Sequence, residues 1–254
     1  MRSTFVLARY AVLEAMRSGL PWLLLAMLVA AMALAAFLSR VAITESSAVQ
    51  ASLAASLLRL CAVFLVAAHV VSATVRDYND RGIELILALP LSRASYYLGR
   101  LCGFAAIAIL VGGGAALPLF MAAPIPDVLI WALSLCIEAM LVASVALFFA
   151  MSLAQMVPAL AATLALYLLA RVMPSVQAIA ASPLTESGAL LDFGRMALDG
   201  VALLLPPLDL ATRAEWLLYG SPPVALLAKT FSALLTYAGL GCAAGLFDFS
   251  RRNL

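Results

Sequence analysis

Charged side chains are scarce in this chain. Asp, Glu, Lys and Arg make up 11% of its 254 residues, against about a quarter in soluble domains. Too few polar groups remain to cover a folded surface in water, which excludes an ordinary soluble protein. The net charge is only +2, so there is no basic surface to hold a nucleic acid. A single histidine, His69, and four cysteines (Cys61, Cys102, Cys136 and Cys242) show no CxxC or Cys/His spacing. That argues against a zinc site or a disulfide framework. The cysteines sit in apolar runs and are expected as small buried hydrophobes, and His69 as a hydrogen-bonded packing residue. No Gly-x4-Gly-Lys-Ser/Thr phosphate loop occurs, and Gly112–Gly114 has no Lys after it. An ATP site of that kind is therefore not expected on this chain. Strictly alternating segments of about ten residues, the mark of a membrane β-barrel, are absent too.

What is there is apolar: 66% of the residues, with a mean hydropathy of +1.11. These residues gather into stretches near or above the ~20 needed for a helix to cross a hydrocarbon core. The pattern predicts an all-α membrane protein, a single transmembrane domain over 1–254 with six transmembrane helices. The spans are placed at 20–38, 53–75, 97–121, 127–151, 156–173 and 223–247, with Pro158 marking the break before the fifth. The first run lacks a small-residue cleavage site followed by polar sequence, so it reads as a retained span. An even number of spans puts both termini on one side. That side carries Arg2, Arg9, Arg17, Arg76, Arg81, Arg93, Arg100, Arg251 and Arg252; the other carries Arg40, Arg171, Arg195 and Arg213. Nine against four makes the termini cytoplasmic.

Three segments lie between or before the spans. In 1–18, Phe5, Ala8, Val12, Ala15 and Met16 recur near helical spacing among arginines. Such a helix can lie along the cytoplasmic interface with its apolar face in lipid, or simply lead into the first span. Residues 174–222 are rich in proline and read as an outer re-entrant or amphipathic segment. Within it Leu190, Phe193, Ala197, Val201 and Leu204 share a stripe, off which lie Asp192, Arg195 and Asp199. Trp216 and Tyr219 read as interface anchors. The segment is either a lid over a pathway or an anchor. Two GxxxG steps, Gly99/Gly103 and Gly241/Gly245, permit close helix contact.

Ionisable residues within spans are costly and default to functional candidates. Arg59, Glu138 and Lys229 are three, at depths of roughly 9, 16 and 9 Å from the outer boundary at about 1.5 Å per residue. They can converge, with Glu138 neutralised by one or both cations. Structural pairing, snorkelling of the two cations to the surface and a place on a transport path are all open.

The third segment, "RDYNDRGIELILALPLSR" from Arg76 to Arg93, is the densest patch of charge. Asp80 can cap a short helix bearing Arg81, Gly82, Ile83 and Glu84; Pro90 then forces a turn, and Ser92 can cap the third span. A loop meant only to fix topology would not need Asp77, Asp80 and Glu84 to balance its arginines. A mixed-charge helix with an apolar face suits docking into a groove on another protein.

The order Arg-Asp, Arg-Gly-Ile-Glu, "LILALPLSR", "YYLGRL" resembles the permease subunits of type-2 ATP-binding-cassette (ABC) transporters. Ile83 stands where that family usually has Thr, and Arg100 where it has Lys. "IEAMLVASVALFFAMSL" and the closing "FDFSRRNL" resemble the family's fourth span and C-terminus. "LLPPLDLATRAEWLLYG" is similar to permeases of the multicopper-enzyme-maturation group. The resemblance implies that 1–18 is an interfacial connector helix and 77–93 a cytoplasmic coupling helix between spans 2 and 3. Asp77, Asp80, Arg81, Glu84, Leu87, Pro90 and Arg93 would be its ATPase-coupling residues. It implies a permease, in the direction of an exporter, in a bacterial inner (plasma) membrane. Two copies of a separate ATP-binding subunit and a second copy of this permease or a paralogue would be its partners, besides the lipid bilayer. ATP and Mg would sit on the partner, with no cofactor and no catalytic residue on this chain. Two other classes stay in view: an ion-gradient-driven secondary transporter acting without an ATPase, for which Glu138 is the one suitable midplane carboxylate, and a membrane-embedded enzyme.

Overall fold

The computed structural model describes residues 2–41, 47–80, 92–181 and 189–251. Among them every regular element is helical, with no strand. In chain order these are α1 (Arg2–Arg17), α2 (Leu20–Val41), α3 (Ser47–Asn79), α4 (Arg93–Ala115), α5 (Ile125–Leu153), α6 (Met156–Ala180), α7 (Ala189–Leu204), α8 (Trp216–Tyr219) and α9 (Val224–Arg251). Short 3-10 turns occupy Leu117–Met121 and Leu208–Leu210. Five segments, Ala51–Asn79, Arg93–Met121, Ile125–Leu153, Met156–Ala180 and Val224–Arg251, are long and apolar enough to cross a membrane. The pair Thr4–Arg17 and Leu20–Leu34, bent by 56°, makes a sixth if counted as one span. The chain is thus a helical membrane protein, and the sequence-derived spans fall within these helices or within a residue or two of their ends.

α5 is the central helix. It packs against α3, α4, α6 and α9, and Trp131, Leu135, Ala139, Ala143, Ala146 and Leu147 on it are fully buried. The recurrent alanines let neighbouring helices approach closely, which is how helices pack where lipid removes most of the hydrophobic drive. The outer surface is apolar: Trp22, Phe64, Leu133, Val157 and Phe247 are all exposed. Cys61 and Cys102 are exposed too, contrary to the expectation that all four cysteines are buried. Facing hydrocarbon, a small apolar side chain gains little from burial.

Local signals explain several boundaries. α1 and α2 are separate helices joined at Ser18-Gly19, where Gly19 has φ +83°. That is a backbone conformation glycine adopts without strain. The Ser92 hydroxyl accepts a bond from the Ser95 N–H at 3.2 Å, the expected N-cap of α4. The α5–α6 break falls at Ala154, which closes α5 in the left-handed region at φ 51°. Pro158 is the third residue of α6, where a missing N–H removes no helical bond. Pro174 does not end this helix; α6 continues to Ala180. One lost backbone bond near the end of a membrane helix is tolerated, so the connection from α6 to α9 is shorter than expected.

The segment after α6 has its polarity reversed relative to a soluble amphipathic helix. Phe193, Met196, Leu203 and Leu204 of α7 are exposed, while its polar side turns to the end of α6. There Arg195 Nε donates to the Ala180 carbonyl at 2.9 Å and Gln177 Nε2 to Asp199 Oδ1 at 2.8 Å. Tyr219 is exposed, as an anchor should be, but Trp216 is buried. Its short helix, α8, packs against α3 and α5 and carries the indole inward.

Candidate functional site

Two polar clusters stand out in this apolar bundle, one at each end of the central helices. The first forms where α3 stops, α4 starts and α1 crosses them. α1 lies directly on α4 because Gly99 and Gly103 leave room for it. A Cβ added at Gly99 would fall 2.7 Å from the Leu7 Cβ, and one at Gly103 2.6 Å from the Ala11 Cβ. Ala11 and Ala15 are accordingly buried and Phe5, Tyr10, Leu13 and Met16 exposed. Of the expected lipid face, Phe5 and Met16 are exposed, whereas Ala15 is buried and Val12 packs against the core.

This seating brings Glu14 to the ends of α3 and α4. Arg100 Nη1 donates to Glu14 Oε2 at 3.0 Å, Arg100 Nη2 pairs with Asp77, and Arg76 pairs with the other Glu14 oxygen. Arg100 is only 2% exposed, and its guanidinium lies 5.1 Å from the centre of the Phe104 ring. Two acids and two arginines alternate, so the buried guanidinium is neutralised on both sides, the condition for keeping a charge out of water. Glu14 lies outside the five spanning helices. Burial pushes its carboxyl up, but Arg100 and Arg76 outweigh this and hold it below the usual glutamate value.

A further clasp joins the start of α4 to the end of α9. Tyr96 and Tyr97 pack on the Phe249 ring with centroids 5.9 and 6.5 Å apart, and Arg93 Nη1 donates to the Ser250 carbonyl at 3.3 Å. Gly245 faces Tyr97 so closely that any Cβ would collide with the ring. Both GxxxG steps are thus contact sites.

Of the coupling candidates, Asp77 is bound within the chain to Arg100, Arg93 reaches α9, and Asp80 is an exposed turn residue just after α3. Arg81, Glu84, Leu87 and Pro90 lie outside the described residues.

The second cluster surrounds Glu138, which is fully buried on α5. Tyr167 on α6 donates its hydroxyl to Glu138 Oε1 at 2.8 Å, and Arg171, one turn on, brings Nη1 to 3.9 Å from the same oxygen. Arg171 also donates to the Leu208 carbonyl and, at 2.9 Å, to the Ala211 carbonyl. Arg59 from α3 donates to the Thr212 carbonyl at 2.9 Å and lies within electrostatic reach of Tyr167 and Arg171. Thr212, at φ 47°, completes the turn: its N–H and hydroxyl meet Ser134 Oγ at 2.9 and 3.2 Å. Three spans thereby hold one turn of the α6–α9 connection, the stretch Leu208–Thr212. Glu138 Oε2 and Arg59 Nε have no hydrogen-bond partner among the described residues.

The expected convergence of Arg59, Glu138 and Lys229 is therefore half right. Arg59 and Glu138 share the cluster, whereas Lys229 is exposed on α9 and takes no part. Arg171 supplies the cation instead. Ending the fifth span at Pro174 had placed Arg171 at the outer rim, when the helix in fact runs on for six residues beyond that proline. Glu14 was missed as well, although it is the sole acid before Glu45 on a helix of arginines. His69 packs edge-on against Phe104, but its Nε2 has no partner among the described residues. Among the described residues no group of three or more His, Cys, Asp or Glu is placed to hold a metal ion. No protein-family model matches the chain, and a search of curated proteins finds no match.

Proposed function

We propose that this chain is the membrane-spanning permease subunit of an ATP-driven ABC transporter of the type-2 class, working as an exporter. It forms a substrate pathway with a second permease copy and couples through residues 77–93 to two copies of a separate ATP-binding subunit in the cytoplasm. The observation that carries this reading is the way Asp77 and Arg100 bracket the 81–91 segment. Both are fixed to each other and, through Glu14, to α1, while Arg93 is tied to α9. A force applied by a partner between them would reach α1, α3, α4 and α9 together, as a coupling element requires. Under this reading Asp80, Arg81, Glu84, Leu87 and Pro90 face the partner, and Asp77 and Arg93 transmit from it. The Leu208–Thr212 turn is then the natural candidate for an outer gate.

The test is affinity purification in mild detergent from cells that co-express an ABC ATP-binding subunit. A stoichiometric ATPase, lost when Glu84 and Arg93 are both reversed in charge, supports the reading. Transport that persists with no ATPase present sinks it. Glu138 favours a second reading, a secondary transporter, since a buried carboxylate with an unpartnered oxygen is suited to carry a proton or cation. In proteoliposomes without ATP, uptake abolished by collapsing the ion gradient and by Glu138→Gln would select that alternative.

A further inference from the structure

The elbow between α1 and α2 leaves an amphipathic groove that neither polar cluster uses. Its mouth is a cavity of about 370 Å³ among Tyr10, Leu13, Glu14, Arg17 and Arg76. It continues into a second cavity of about 190 Å³, which shares Ser18 and Arg76 with the first and runs between Leu20, Leu23, Leu65 and Met156. The mouth carries Arg17, Arg76 and Glu14 on a largely apolar wall; beyond Ser18 and Arg76 the inner part is apolar apart from His69 and Ser72. An acyl chain can follow the leucines while a charged headgroup stays at the mouth.

The charges around it are not balanced. Arg76 and Arg100 are matched by Glu14 and Asp77, which leaves Arg17, exposed at the mouth, as the cation with no acidic partner among the described residues. His69 lines the inner part and is 9% exposed, a polar edge beside the leucines. Tyr10, Leu13 and Met16 are exposed beside the mouth, as suits a helix set at the level of lipid headgroups.

We infer that this groove is a binding site for an anionic phospholipid, whose phosphate sits between Arg17 and Arg76 and whose acyl chain runs along Leu20, Leu23 and Leu65. Arginine suits this role because its fork of donors matches phosphate oxygens. The site needs no ATPase partner and stands apart from the transport reading. Because Arg76 also holds Glu14, the lipid would brace α1 against α3.

The test titrates lipid into the purified full chain in dodecyl maltoside and follows adducts by native mass spectrometry, with melting midpoints as a check on folding. Dioleoyl phosphatidylglycerol should bind about tenfold more tightly than dioleoyl phosphatidylcholine, the scale of one charge-assisted contact. Arg17→Gln should remove most of that preference, and Ala68→Phe, which fills the inner part, should weaken both lipids. Arg9→Gln removes the same charge from the same helix outside the groove and should change nothing. Equal losses in Arg9→Gln and Arg17→Gln would reduce the effect to general attraction and overturn the site. So would equal binding of the choline lipid, or competition by glycerol 3-phosphate alone, which would mark a phosphate site without a lipid.

Discussion

Asp77 and Arg100 are bound to each other across the two helices that flank residues 81–91, and the guanidinium between them is almost wholly buried. Glu14 takes the other side of the same guanidinium. One arginine therefore ties three helices where α3 ends and α4 begins.

Removing that arginine should be far more damaging than removing its exposed neighbour. Arg100→Met leaves two carboxylates without their shared cation and should destabilise by about 3–5 kcal/mol. Arg76→Gln breaks a contact whose arginine is 51% exposed and should cost about 1 kcal/mol or less. Thermal melts in detergent will rank them. In the double variant Asp77→Asn, Arg100→Met, part of the loss should return; simple additivity would mean that the two residues are not coupled.

Acid should loosen the same cluster. The folded value of Glu14 is depressed, so its contribution is fully present above the usual glutamate range and is lost as pH falls through the lower folded value. Melting midpoints of the native chain and Glu14→Gln should run parallel at neutral pH and converge once the pH has fallen well below the usual glutamate range. A gap that stays constant down to pH 3 would assign Glu14 a packing role only.

Glycine substitutions on α4 should separate seats from bystanders. Gly103→Ala places a Cβ 2.6 Å from Ala11, whereas Gly113→Ala meets nothing within 4 Å. The first should push α1 away and raise maleimide labelling of a cysteine placed at Ala11. The second should be neutral or gain up to about 1 kcal/mol from helix propensity. Unchanged labelling in Gly103→Ala would show that α1 is not held by this contact.

The Glu138 cluster should respond to charge and not to depth. Glu138→Gln leaves Arg171 and Arg59 without a counter-charge and should cost about 3 kcal/mol or more, while Lys229→Met should lie within about 0.5 kcal/mol of the native chain. Arg171→Met should release the Leu208–Thr212 turn, read as faster amide exchange there than elsewhere. If Lys229→Met proves as harmful as Glu138→Gln, the exposed lysine has a partner that the isolated chain lacks.

Much of the fold was legible from hydropathy alone. A helix must satisfy its own backbone bonds in hydrocarbon, so long apolar runs leave one solution. For that reason the long apolar helices, the Ser92 cap and the break ahead of Met156 could be read from the sequence. Pro174 misled because a single proline near a helix end is a weak stop in a membrane, and that error hid Arg171. The direction of α7 was legible only as a stripe; which side faced the protein depended on Gln177 and Ala180 being there to receive its polar groups.

The sequence by itself determined that the chain is helical, membrane-embedded and sparing with charge, since these follow from composition and local periodicity. Tertiary structure alone decided which charges meet. Glu14 lies 62 residues from Arg76 and 86 from Arg100, and Thr212 lies 153 from Arg59. Pairings at such separations are set by helix packing, through Gly99, Gly103 and the alanines of α5. The partners of a buried charge depend on what that packing brings within a few ångströms.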